Sequence, residues 1–90
     1  MSTQRLSVGT DATPSSDHTV TSSETIYLND AAGTTVDPGA QVEIQIKDPS
    51  GAYFRVDTLT GGAKPGVVIA PGVYRYVRKA AVSCGVVSNG

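Results

Sequence analysis

The chain lacks most of what small domains use to hold themselves together. One cysteine, Cys84, excludes an internal disulfide. One histidine, His18, with no Cys/His cluster, argues against a structural zinc site. There is no tryptophan and only one phenylalanine, so Val, Ile, Leu and Ala must build most of the core. A chain of 90 residues is one domain at most and buries only about 60–65% of its unfolded surface. Contact with a partner is the remaining route to stability. No stretch approaches the ~18 apolar residues of a membrane span. The N-terminus has no basic segment followed by an apolar one, so no secretory signal is expected. The lone cysteine suits synthesis in a reducing compartment.

The formal charge of −1 hides an asymmetry. Residues 1–37 carry Arg5 against Asp11, Asp17, Glu24, Asp30 and Asp37, a net of −4. Residues 38–90 carry six basic side chains against Glu43, Asp48 and Asp57, a net of +3. The two parts can attract each other or neighbouring copies.

Eleven of the first 23 residues are Ser or Thr, and Leu6, Val8 and Val20 are isolated apolar points. This composition predicts an extended polar arm over 1–23, outside the core. A β-domain is expected over 24–90. Gln41 to Lys47 alternates cleanly, with Val42, Ile44 and Ile46 on one face and Gln41, Glu43, Gln45 and Lys47 on the other. That is the period of a half-buried antiparallel strand. Asp48-Pro49-Ser50-Gly51 has type I turn chemistry. Ala52 to Thr58 then returns as its partner, with Ala52, Phe54 and Val56 predicted inside and Tyr53, Arg55 and Asp57 outside. Shorter strands are expected at 24–28, 34–36, 67–70, 73–79 and 82–87, with turns at 29–33, 37–39 and 71–72 and a loop over 59–66. In 73–79, Val73, Arg75, Val77 and Lys79 oppose Tyr74, Tyr76 and Arg78, and neither set is purely polar. No segment holds a helical period. The expected fold is all-β: a small antiparallel β-sandwich or barrel of five to seven short strands, with an extended N-terminal arm.

No constellation for turnover emerges. The only candidate base for acyl transfer, His18, lies in the polar arm and is expected to be solvated there. Cys84 reads as a buried structural thiol, because a reactive one needs a cationic neighbour or a helix N-terminus. Asp48 is accounted for by its turn, and Glu43 and Asp57 form no evident pair for glycoside hydrolysis. No D-x-D-x-D-G run suggests calcium, and Gly61-Gly62 with Lys64 lacks the spacing of a phosphate loop. No enzyme activity, cofactor or metal is expected.

The most functional-looking residues are Tyr53, Arg55, Tyr74, Arg75, Tyr76 and Arg78. Tyrosine and arginine interleaved on strands suit protein interfaces. They also suit nucleic acid, but a slightly acidic chain argues against that partner. All six are therefore candidates for a protein-binding face.

The block from Val42 to Gly51, the strand Ala52 to Asp57, and the proline–glycine turn of Pro71 and Gly72 leading into Tyr74 and Arg75 carry a resemblance. Over residues 40–88 the chain resembles small β-sandwich structural proteins of tailed bacteriophages, of the capsid decoration, cementing or fibre type. The resemblance implies a virion protein assembled in the host cytoplasm. Its partners would be the major capsid protein or another virion protein, together with further copies of itself and no membrane. The arm would lie along a neighbouring subunit while the Tyr/Arg face meets the lattice. The alternative is a glycan-binding tail or fibre module for host recognition, with Tyr53, Tyr74 and Tyr76 as its platform.

Overall fold

The computed structural model describes residues 2–30, 36–79 and 82–90. The fold is all-β and consists of two open antiparallel sheets of four and five strands. Nine strands lie among the described residues, against the five to seven expected: β1 (Ser2–Gly9), β2 (Thr13–Pro14), β3 (His18–Val20), β4 (Glu24–Asn29), β5 (Gln41–Lys47), β6 (Tyr53–Thr60), β7 (Gly66–Ile69), β8 (Gly72–Arg78) and β9 (Cys84–Asn89). The first sheet runs β1-β9-β4-β7. The second runs β2-β8-β5-β6, with β3 also on β8. The brief strand expected at 34–36 falls partly outside the described residues, as does the turn at 29–33. Val36 itself is not in a strand.

The extra strands come from the segment expected to be a free arm. Leu6 and Val20 are buried in the core, so residues 2–20 belong to the two sheets. β1 pairs with β9 from Ser2↔Asn89 to Gly9↔Cys84. β2 and β3 occupy successive stretches of one edge of β8. Ser15 bridges the gap between them. Its N–H donates to Tyr76 O (2.8 Å), and its Oγ accepts from Tyr76 N–H (2.9 Å). Main-chain pairing makes these strands, and a Ser/Thr-rich composition does not oppose it, since threonine is a good strand residue.

One core lies between the sheets. Val42, Ile44, Leu59 and Tyr76 from the second sheet meet Ile26, Leu28 and Val86 from the first. Each such side chain contributes roughly 1.5–3 kcal/mol on burial. β5 matches its expected bounds, and its turn closes through Gly51 N–H to Asp48 O (2.9 Å). β6 departs from expectation. Ile44 pairs with Asp57 but Gln45 pairs with Arg55, so Val56 is an extra residue in a β-bulge. The bulge reverses the alternation beyond it. Leu59, expected in a loop, is fully buried, whereas Phe54 and Val56 are 57% and 54% exposed.

Candidate functional site

β8 settles which of its two faces meets the core. Tyr74, Tyr76 and Arg78 point inward and are buried, and the opposite set lies outside. Two aromatic rings bury more apolar area than two valines, and that gain outweighs the cost of bringing Arg78 inside. The six expected interface residues are thus split. Tyr53, Arg55 and Arg75 share the outer face of the second sheet, and Tyr74, Tyr76 and Arg78 cannot take part in a surface contact.

The outer face is a connected network. The Arg75 guanidinium lies 3.7 Å from the centroid of the Tyr53 ring. Its Nε donates to Gln45 Oε1 (2.8 Å). Tyr53 O–H donates to Asp17 Oδ1 (2.6 Å), and Lys47 Nζ donates to Asp17 Oδ2 (3.3 Å). Glu43 holds Lys79 at 3.1 Å and Arg55 at 3.9 Å. The Tyr53 hydroxyl, followed by Lys47, keeps the Asp17 carboxyl below its usual range, and Lys79 does the same for Glu43. Solvent screens exposed ion pairs such as these, so this network orders the face more than it stabilises the fold. Asp17, Glu43, Gln45 and Lys47 were not singled out from sequence. The last three follow from the outward parity of β5, but Asp17 is 36 residues from Tyr53 and leaves no local signal.

A second polar cluster is enclosed beneath. His18 is 3% exposed and Tyr76 is fully buried. His18 Nδ1 lies 2.8 Å from the Tyr76 hydroxyl. His18 Nε2 stands 3.2 Å from Glu24 Oε1, within ion-pair reach but off the line of a good hydrogen bond. Arg5, the extra residue where β1 shifts register between Gln4 and Leu6, donates from Nε to Ser88 Oγ (2.7 Å). Burial, then the charge of Arg5, lowers the His18 pKa below its ordinary 6.5 against the opposing pull of Glu24. Burial raises that of Tyr76. A neutral ring protonated on Nε2, the side of Glu24, would accept at Nδ1 from the tyrosine hydroxyl. Carboxylate, imidazole and hydroxyl stand in relay order, but the two rings are closed off from solvent. His18 is not the solvated arm residue expected.

This burial gives a pH dependence of defined sign. A histidine whose folded pKa lies below its unfolded value binds protons more readily when unfolded. Its contribution is complete above about pH 6.5 and is lost as the pH falls towards the folded pKa. The urea midpoint is therefore expected to be flat from about pH 8 to 7 and to fall as the pH drops below about 6.5, with His18→Gln flattening the fall. A midpoint that rises on acidification over that range would show that Glu24 dominates and the ring is charged.

Arg78 is 4% exposed and donates to three main-chain carbonyls: from Nε to Asp11 O (2.7 Å), and from Nη1 to Ser7 O (2.6 Å) and Cys84 O (2.8 Å). Cys84 is fully buried, as expected, and burial pushes its thiol pKa up, away from reactivity. Among the described residues, no group of three or more His, Cys, Asp or Glu side chains is placed to hold a metal. No family model, curated protein or solved structure matches the chain.

Proposed function

We propose that this chain is a non-enzymatic structural subunit, a small antiparallel β-sandwich that docks on a phage capsid as a decoration or cementing protein. The observation that carries the docking role is the outer face built on Tyr53 and Arg75. Tyrosine and arginine are the side chains most enriched at interface hot spots, and here they are already ordered by Gln45, Asp17 and Lys47. A pre-ordered face loses less rotamer entropy on docking, and a symmetric shell adds effective concentration. The capsid itself is suggested by the resemblance over residues 40–88. The major capsid protein, or another virion protein, is the partner in this reading. The expected contribution of an extended arm is withdrawn, because residues 2–20 are committed to the two sheets.

The glycan-binding alternative keeps only Tyr53 of its three tyrosines, with one ring face covered by Arg75. Both readings are tested by mixing the purified chain with shells assembled from the capsid protein of the same genome and sedimenting them. Saturable co-sedimentation, weakened about tenfold or more by Tyr53→Ala or Arg75→Ala, is expected. Absence of co-sedimentation by the unaltered chain would end the capsid reading. A glycan-array signal abolished by Tyr53→Ala would favour host recognition instead.

A further inference from the structure

We infer that two copies of this chain pair through β6, antiparallel about a two-fold axis at Phe54, joining their second sheets into one. β6 is the outermost strand of its sheet, and among the described residues no strand pairs with its free side from Tyr53 to Arg55, while the Thr58 N–H is taken by Asp57 Oδ1 (2.8 Å). The other edge of the same sheet is broken into β2 and β3 and carries Pro14, a residue that blunts strand pairing.

The hydrogen bonds at each end of β6 fix which way its main chain faces. At one end, the Ala52 carbonyl accepts from Asp48 N–H, towards β5. At the other, Thr60 exchanges both its bonds with Lys64, on the side away from β5, and Gly61 N–H turns back to Ala40 O. Counting by twos from the hairpin puts Phe54 towards β5 and Tyr53 and Arg55 outward. Counting back from Thr60 puts Thr58 outward and Leu59 and Asp57 towards β5. The bulge at Val56 absorbs the change of parity. Tyr53 and Arg55 therefore offer free N–H and C=O groups two residues apart, the spacing of one antiparallel ladder step.

A second copy satisfies them reciprocally, with Tyr53 of each strand opposite Arg55 of the other. Phe54 then sits on the axis as a non-hydrogen-bonded pair, where side chains approach most closely, and its 57% exposed ring meets its own mate. The register is electrostatically complementary. Arg55 of one copy comes beside the Tyr53 ring of the other, a cation against the electron-rich side chain. Beyond Arg55, the next outward residue is Thr58, three positions on, and the ladder stops there. The contact is isologous and uses up the edge, so it closes as a dimer and does not propagate into a fibre. This names the self-partner within the assembly reading, yet it is decided by solution mass and not by capsid binding.

Sedimentation equilibrium of the purified chain over a concentration series is expected to show a monomer–dimer equilibrium. Phe54→Ser removes both rings at the axis and is expected to raise the dissociation constant by about 100-fold or more. Arg55→Pro is expected to do the same. Its missing N–H faces away from β5, so the ladder within the chain survives, and circular dichroism verifies the fold. In the unaltered protein, amide exchange at Tyr53 and Arg55 is expected to slow as concentration rises. A chain that stays monomeric at millimolar concentration overturns the inference, as does a dimer indifferent to both folded variants. Exchange at those two amides that ignores concentration overturns it even if neither variant folds. Failure to bind capsids leaves it standing.

Discussion

Replacing Arg78 with alanine is expected to cost about 3–5 kcal/mol of folding stability. The guanidinium ties three main-chain carbonyls that belong to different parts of the chain: Ser7 in β1, Asp11 in the turn before β2, and Cys84 in β9. Without it all three lose a charged donor at a site only 4% exposed in the native residue, and a cavity opens against Gly9. A domain of 90 residues has about 5–13 kcal/mol in total, so the variant should lose a large share of its stability. Arg78→Lys keeps the charge but cannot reproduce a planar fork aimed at three acceptors, and is expected to recover only part of the loss. Urea titration followed by circular dichroism measures both. A loss below about 1 kcal/mol for the alanine variant would mean that water replaces the guanidinium at little cost.

Gly85→Ala is expected to cost about 2–4 kcal/mol and to lower the melting temperature by about 10 °C or more. Gly85 lies in β9, between β1 and β4. A Cβ there would lie 2.7 Å from Asn29 Oδ1, 2.7 Å from Gln4 Nε2 and 2.8 Å from Leu6 O. The two amides form a reciprocal pair, with each side-chain nitrogen 3.0 Å from the other's oxygen, and they can swing aside. The Leu6 carbonyl is main chain, so β1 itself would have to move away from β9. Gly85→Ala combined with Gln4→Ala is therefore expected to remain well below the unaltered protein. Full recovery in the double variant would place the whole clash on the flexible amide.

These two residues also mark where sequence reading reaches its limit. β5 and its turn were legible, because Val42, Ile44 and Ile46 alternate locally and Asp48 to Gly51 close on themselves. The burial of Cys84 was legible from its apolar neighbours. Residues 2–20 were not, since their strands are specified by backbone pairing to β8 and β9, 52 to 87 residues away in sequence, with only Leu6 and Val20 in the core. The inward face of β8 turned on a competition between tyrosine volume and arginine charge, and two of the three carbonyls that resolve it, those of Ser7 and Asp11, lie 71 and 67 residues away. The bulge at Val56 is a two-against-one relation with β5, invisible in either strand alone, and it misplaced Val56 and Leu59 together; Phe54, ahead of the bulge and opposite Ile46, is exposed on the edge strand instead. Of the candidate face, Tyr53, Arg55 and Arg75 were readable from residue type, while Asp17 is recruited only by the folded chain.

The placement of β9 has a consequence for biosynthesis. β1 and β4 flank it and do not pair with each other; β4 can first pair with β7, whereas β1 waits for a neighbour made only at residues 84–89. A ribosome-bound nascent chain must carry β1 without this partner until residues 84–89 have emerged. A strand segment rich in serine and threonine offers little apolar surface for aggregation during that delay, where a more apolar β1 would invite it.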